Sequence, residues 1–150
     1  MNEAKGIDTL SKRRLKMWLR LIGVVRAGEN ELREFLRTRH GTTLPRFDVM
    51  AALWRRPEGA TMTELSRMLL VSNGNATAVV DRLEAEGLVR RTASESDRRT
   101  VIVGLTEAGR ARFARLAEDH ERAVSAHFAH VGEADIERLT EILKRMGQRS

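Results

Sequence analysis

The 150-residue chain contains no cysteine, only two prolines and no long hydrophobic run. The absence of cysteine excludes a disulfide framework, a thiolate metal site and a cysteine-based peroxide sensor. No apolar segment reaches the length that crosses a bilayer, and no apolar run follows the N-terminal charges to make a signal peptide. We therefore expect a cytoplasmic protein that does not enter a membrane.

Sequence features that interrupt regular structure are also scarce. The prolines are Pro45 and Pro57, and the chain has no glycine- and serine-rich linker, no low-complexity tract and no solenoid repeat. Most of it can be helical, and its length is that of one domain, so we expect residues 1–150 to form a single unit. The 27 Lys and Arg residues against 21 Asp and Glu give a net charge of +6, which suits a partner that carries phosphate.

Apolar residues at three- and four-residue spacing predict a long first helix over about 9–38. A second helix begins near Pro45 and ends at Pro57, because proline suits a first helical turn and stops a helix that is already running. A short third helix covers about 63–70. Its inner face is predicted to carry Leu65, Met68 and Leu69.

In the second half of the chain, the spacing of the apolar residues changes from helical to alternating. Ser72 is a suitable N-cap for a fourth helix that ends near Glu86, with Gly87 closing it in a left-handed turn. Alternation over 89–93 and 101–105 then predicts two short strands joined by a polar hairpin tip. A fifth helix over about 106–131 and a sixth after Gly132 complete an order of four helices, a hairpin and two helices.

Two short helices joined by a tight turn and followed by a basic hairpin form the arrangement that places a helix in the DNA major groove. The outward side of the fourth helix is small and polar, which permits close approach and hydrogen bonds to base edges. The hairpin concentrates positive charge that phosphate or a narrow minor groove would neutralise. Its guanidinium groups belong to Arg90, Arg91, Arg98 and Arg99. The alternatives are a solvated helix face and a hairpin whose arginines pair with Glu95 and Asp97.

Several runs resemble the MarR family of transcription regulators. Residues 83–90, 97–99 and 103–109 resemble its signature across the reading helix, the wing and the start of the fifth helix. Residues 44–48 and 62–66 are similar to the family's second helix and to the first helix of its helix-turn-helix. The resemblance implies a mainly α fold with a small β-hairpin wing, a winged helix-turn-helix.

The resemblance also implies how the chain is organised. The DNA-binding part would cover about 44–105, and dimerisation helices would cover about 9–40 and 106–150. The partners would be a pseudo-palindromic double-stranded operator, a second copy of the chain and a small organic effector. Asp97 would brace the wing. The residues expected at the DNA are Ser72, Asn73, Gly74, Asn75, Thr77, Ala78, Arg82, Asp97, Arg98 and Arg99.

Large apolar side chains from the first two helices are predicted to meet near the junction of the dimer and DNA parts, where they could line a pocket for an aromatic ligand. They are Trp18, Leu21, Phe47, Met50 and Trp54. Core packing explains the same residues equally well. With no cysteine to oxidise, we expect a repressor released by a small aromatic or phenolic effector.

Histidines give a weaker signal. His120 and His127 lie seven residues apart on one face of the fifth helix, with His130 close by, which is compatible with a zinc site or a pH switch. Because no fixed ligand motif accompanies them, we expect hydrogen-bonded interface histidines and no metal or cofactor. No catalytic motif is present, so we do not expect an enzyme. An architectural DNA binder without effector, a zinc-responsive regulator and a protein-interaction module remain alternatives.

Overall fold

The structure is a computed structural model that describes the backbone of residues 2–69 and 73–148, with side chains from 9–69 and 75–148. Within these ranges the chain forms helices α1 to α6 and a two-stranded hairpin, which confirms the predicted fold class. The elements are α1 (Asn2–His40), α2 (Leu44–Trp54), α3 (Met62–Leu69), α4 (Asn73–Ala85), β1 (Val89–Ala93), β2 (Val101–Leu105), α5 (Glu107–His127) and α6 (Glu133–Gly147).

The hydrophobic core lies within α2, α3, α4 and the hairpin, and the C-terminal end of α1 and the first half of α5 close it. Met50 and Leu53 of α2 meet Leu65 of α3 and Leu83 of α4, all nearly inaccessible to solvent. Burying a side chain of this size contributes about 1.5–3 kcal/mol to stability. This shared core holds α3, α4 and the hairpin as one unit.

Local signals at the helix ends agree with the sequence. The Thr43 side chain caps α2 by accepting from the Arg46 backbone N–H at 3.3 Å, and Pro45 lies in the first turn. Gly87 adopts the predicted left-handed conformation, with φ of +76°. The Leu88 N–H then donates to the Leu83 carbonyl at 3.0 Å, which closes α4 and directs the chain into β1.

The hairpin is antiparallel, with Val89 opposite Leu105 and Ala93 opposite Val101. Its strands have the predicted bounds. Ala60, just before α3, forms a bridge to Val103 through N–H to carbonyl bonds of 2.8 and 2.9 Å. This bridge anchors β2 to the helical unit.

Three details differ from the sequence expectations. α1 extends beyond both predicted ends, from Asn2 to His40. α5 ends at His127 and not near Val131, because residues 128–130 form a turn in which the Val131 N–H donates to the Phe128 carbonyl at 2.9 Å. Met68 is 37% exposed and not inward-facing. The Ser72 cap lies outside the described residues.

The length and apolar character of the helices bear on whether the chain can cross a membrane. Across the described parts of the chain, no helix combines the length and the apolar character needed to span a bilayer.

Candidate nucleic-acid interface

α4 divides into a buried side and an exposed side as its sequence predicts. Ala76, Val80 and Leu83 are buried at helical spacing, and Val79 is half-buried. The exposed side is formed by Asn75, Thr77, Ala78, Asp81 and Arg82. Of the other predicted contacts, Ser72 and the side chains of Asn73 and Gly74 lie outside the described residues. The described part of α4 therefore presents a surface of small and polar side chains.

Ion pairs hold the C-terminal half of α4. The Arg82 Nε lies 2.9 Å from Glu86 Oε1, and the Arg46 Nη1 of α2 lies 3.3 Å from the same oxygen. The Arg82 side chain remains 62% exposed. Because exposed ion pairs of this kind stabilise by only about 0–1 kcal/mol, phosphate can replace Glu86 as the partner of Arg82.

Asp97 organises the hairpin tip. Its carboxylate accepts from the Arg99 backbone N–H at 3.0 Å and from the Thr100 hydroxyl at 3.2 Å, and its carbonyl accepts from the Thr100 N–H at 3.0 Å. Arg98 and Arg99 are exposed, and neither side chain forms an ion pair within the described structure. The tip thus presents two unpaired guanidinium groups on a turn that Asp97 braces.

Arg91 differs from the other hairpin arginines. It points toward α4, where its Nη2 lies 2.6 Å from Asp81 Oδ1 and its Nη1 lies 2.9 Å from Glu84 Oε1. Burial opposes its charge, but hydrogen bonds to these two carboxylates raise the pKa of Arg91 overall. The prediction that nucleic acid neutralises all four hairpin arginines is therefore wrong for Arg91, which acids of α4 neutralise. The signal that could have indicated it is the pair of acids three residues apart on α4.

Comparison with known proteins identifies the family. Residues 42–101 match the MarR family. An HTH-type transcriptional regulator of Bacillus cereus is 30% identical over 135 residues, 89% of this chain and 88% of that protein. The HTH-type transcriptional regulator MhqR of Bacillus subtilis is 27% identical over 92% of this chain and 94% of its own length. A crystal structure of a MarR family transcriptional regulator from Silicibacter pomeroyi has 28% identity and a TM-score of 0.79, covering 91% of this chain and 94% of that one.

The chain belongs to the MarR family. Members of this family are DNA-binding transcription regulators and not enzymes, which confirms those two expectations. They bind operator DNA, typically as homodimers. In this MarR-family chain, α3 and α4 are the helix-turn-helix and the hairpin is the wing.

Only part of the residue set predicted to form an effector pocket is brought together in this MarR-family chain: the rings of Phe47 and Trp54 both pack on Phe113, at centroid distances of 5.5 and 5.2 Å. Phe47 and Met50 belong to the core, whereas Trp18 is 58% exposed on α1 and Leu21 is half-buried there. In the described part of the chain, the grooves between α1 and α5, among α1, α2 and α4, and along the N-terminal half of α1 include none of the five predicted residues. The shared pocket stays a prediction.

Trp54 differs from Phe47 and Met50 in that it is partly exposed and lies beside a cation. Its ring centroid lies 5.2 Å from that of Phe113 of α5, and the Arg110 guanidinium lies 5.4 Å from the ring centroid in a cation–π arrangement. The side chain is still 40% exposed. An exposed aromatic surface beside a cation therefore lies where α2 meets α5.

The histidines of α5 contact neighbouring helices. His127 Nδ1 bonds to the Glu31 carboxylate of α1, and His120 stacks on Phe47 of α2 with ring centroids 4.2 Å apart. His130 is exposed in the turn after α5. Within the described ranges, no three metal-ligating side chains come together. These contacts support the interpretation of His120 and His127 as packing and hydrogen-bonding residues.

Proposed function

We propose that the chain acts as a homodimer that recognises a pseudo-palindromic operator. In each copy, α4 reads bases in the major groove and the wing enters the flanking minor groove. The observation that carries this proposal is the position of the small, exposed face of α4 beside a hairpin tip whose Arg98 and Arg99 have no acidic partner in the described structure. Such arginines are suited to phosphate and to the negative potential of a narrow minor groove.

The reading side of α4 would act through Asn75 and Thr77, which are exposed beside Ala78. An amide can exchange two hydrogen bonds with adenine, and a threonine can bond to a base edge or contact a thymine methyl group. Ala78 allows the helix to approach closely. This combination supports sequence-specific binding over architectural binding, because an architectural protein needs only phosphate contacts.

Unpartnered apolar surface supports the homodimer. In α6, apolar side chains at helical spacing are between 44% and 51% exposed, and within the described chain nothing covers them. They are Ile136, Leu139, Ile142, Leu143 and Met146. A soluble monomer rarely leaves such a contiguous stripe open to water. The N-terminal half of α1 carries a second such surface, with Leu15, Trp18 and Leu19 all more than half exposed.

Charge complements this apolar surface. The N-terminal half of α1 is basic, through Lys12, Arg13, Arg14, Lys16 and Arg20. The first part of α6 is acidic, through Glu133, Asp135, Glu137 and Glu141. Opposite charges flanking two apolar helix faces favour their association and align them. We infer that α1 of one copy lies along α6 of the other.

A DNA-binding titration tests the proposal. A duplex selected by the wild-type protein from randomised DNA serves as the operator, and a scrambled duplex of equal length serves as random DNA. Arg98→Ala should weaken binding to both and lower the slope of log Kd against log salt concentration by about one unit. Thr77→Ala should instead cost about 1–3 kcal/mol on the operator and relax the preference at particular bases.

Arg122→Ala is the matched control, because it removes the same charge from α5, where Arg122 pairs with Glu118 at 2.6 Å. It should leave the binding to both duplexes and the salt slope unchanged. Equal losses for Thr77→Ala on operator and random DNA would contradict base reading by α4 and favour the architectural alternative. No binding to any duplex would favour a protein-interaction module.

For regulation, we infer that the bound dimer represses transcription and that a small aromatic acid or phenol releases it. The support is the exposed face of Trp54 beside Arg110, which offers an apolar surface and a cation to one ligand. An aromatic ring buried there contributes a few kcal/mol at about 25 cal/mol per Å², which alone corresponds to roughly millimolar affinity, so tighter binding needs the contact with the cation as well. Release then requires that the ligand bind the DNA-incompatible arrangement of the two copies more tightly.

Operator release should be titrated with benzoate, phenol, peroxide and a chelator in parallel. Arg110→Gln should weaken the response to benzoate by about tenfold and the response to phenol much less, since only the carboxylate needs the cation. Arg115→Gln, which changes an exposed arginine of the same helix, is the control. Release by the chelator alone, with recovery on adding zinc, would overturn the organic effector and support a zinc-responsive regulator.

A further inference from the structure

We propose that Arg91 is a positioning residue, which holds the wing at a set orientation to the reading helix and touches no phosphate. The inference rests on the proposed DNA-binding function, and it assigns to one of the wing arginines a role opposite to that of Arg98 and Arg99. It follows from the partners of the Arg91 side chain and from the way the hairpin is attached to the rest of the molecule.

Arg91 makes three hydrogen bonds to α4. One nitrogen of its guanidinium group donates to Asp81 at 2.6 Å, and another donates to Glu84 at 2.9 Å. The second carboxylate oxygen of Glu84 accepts from the Arg91 backbone N–H at 3.2 Å. The planar fork of arginine can engage two carboxylates at once, which the single ammonium of lysine does less well. One residue of β1 is thereby hydrogen-bonded to two residues of α4, Asp81 and Glu84, which lie about one turn apart on the same side of the helix.

The charge around Arg91 disfavours a role in phosphate binding. One guanidinium faces two carboxylates, so the cluster carries a net negative charge and repels a DNA backbone. The Arg91 side chain is 25% exposed. Arg90, on the other side of the same strand, is exposed and forms no ion pair within the described structure. Arg90 therefore provides a matched comparison.

The hairpin needs such an attachment. A two-stranded sheet is at best marginally stable alone, and its tilt depends on what its base contacts. β2 is anchored by the Ala60 bridge to Val103, and β1 is anchored by Arg91, which pairs with Val103 in the strand register. The tip begins three residues beyond Arg91. The two anchors thus set the separation between the reading face of α4 and Arg98, which decides whether both grooves can be contacted together.

A double-mutant cycle on the operator duplex tests this role. If Arg91 positions the wing, Arg98→Ala should weaken binding by about tenfold in the wild-type background but by about threefold or less in Arg91→Ala, where the tip is already misplaced. Arg90→Ala combined with Arg98→Ala should be additive. An additive cycle for Arg91 as well would overturn the proposal.

Glu84→Gln gives a second test, because a phosphate-binding Arg91 and a positioning Arg91 predict opposite changes in DNA affinity. Removing the negative charge of Glu84 by itself favours DNA binding. If Arg91 bound phosphate, losing Glu84 would also release its guanidinium, tighten binding to random DNA and raise the salt slope by about one unit. A positioning Arg91 loses a partner, so operator binding should weaken and the slope should not rise. Arg91→Lys, which keeps the charge but not the fork, should fall between wild type and Arg91→Ala.

Hydrogen exchange provides a readout that does not depend on DNA. Arg91→Ala should accelerate exchange of the hairpin amides over 89–105 while the core amides of α2 stay protected, and Arg90→Ala should not. Unchanged hairpin exchange in Arg91→Ala would overturn the positioning role even if the protein binds its operator. If the wild-type protein selects no operator, the proposed function fails, and the exchange experiment still decides whether Arg91 holds the wing.

Discussion

The imidazole of His120 shows how burial of a single residue can make this fold sensitive to pH. It packs on Phe47 at the contact between α5 and α2, and this burial lowers the pKa of His120 below its ordinary value of 6.5. The unfolded chain therefore takes up the proton more readily than the folded chain. The stability that neutral His120 contributes is present above the unfolded pKa and is lost as pH falls through it toward the folded pKa.

We predict that His120→Phe, which keeps an aromatic ring but cannot titrate, loses less stability than the wild-type protein between about pH 7.5 and about pH 5.5. Urea unfolding at each pH measures the difference. His40 lies 3.0 Å from Asp119 and His127 bonds to Glu31, but both pairs are present in the two proteins and cancel from the comparison. His130→Phe, at an exposed position, should behave as wild type; an equal pH response of His120→Phe and wild type would contradict the prediction.

At the scale of elements, Thr106 joins α5 to the turn after α4. Its hydroxyl oxygen accepts from the Gly109 N–H at 3.0 Å as the N-cap of α5, and its O–H donates to the Gly87 carbonyl at 2.7 Å. Its backbone N–H donates to the Leu88 carbonyl at 3.0 Å. A Cβ at Gly109 would lie only 2.0 Å from that carbonyl oxygen, so the two segments are in very close contact. α5 and the turn after α4 are therefore held together by hydrogen bonds and close packing.

We predict that Thr106→Ala destabilises the protein by about 1 kcal/mol, or up to about 2 kcal/mol because two hydrogen bonds are lost together. Thr106→Ser keeps the hydroxyl and should remain within about 0.5 kcal/mol of wild type. Chemical unfolding gives both values. A Ser variant as unstable as the Ala variant would show that the methyl group, and not the hydroxyl, stabilises this junction.

The elements also show which structural features a single sequence reveals. The hairpin strands were predictable because alternating apolar residues with a polar tip between them have few other interpretations. The end of α5 was not, because Phe128 and Val131 continue an apolar spacing through residues that form a turn. Helical periodicity indicates which side is apolar, but it does not show where the backbone stops being helical.

The same distinction applies to the candidate site. The exposed side of α4 was predictable, since small apolar residues at helical spacing mark the buried side. For Arg91, the two acids of α4 offered candidate partners, but the sequence could not select them, because the contact joins α4 to a strand and depends on the tertiary angle between them. The proposed effector residues separate for a similar reason: Met50 packs into the core, whereas Trp18 lies on a part of α1 that is largely exposed. A large apolar residue type does not distinguish these environments.

At the scale of the whole molecule, the described chain leaves a large apolar surface without cover. The DNA-binding unit buries its own core, whereas α6 and the N-terminal half of α1 expose apolar side chains throughout. Because α5 is joined tightly to the turn after α4, the copy that covers α6 and α1 in the proposed homodimer would also determine the relative placement of the two α4 helices. The proposal therefore links dimerisation and operator spacing through α5.

We predict that Leu139→Glu, a charge in the middle of the α6 stripe, abolishes dimerisation at micromolar concentration and lowers the unfolding temperature, because the helices lose the only proposed cover for their apolar faces. Leu139 is 48% exposed in the single chain, so a monomeric protein would tolerate glutamate there at little cost. Lys144→Glu, at a position about 140° around α6 from Leu139, is the control and should remain dimeric and stable. Analytical ultracentrifugation and thermal unfolding across a range of protein concentrations measure both properties. A dimer requires an unfolding temperature that rises with concentration in the wild-type protein, whereas a folded wild-type monomer at micromolar concentration would refute the association of α1 with α6 of a second copy.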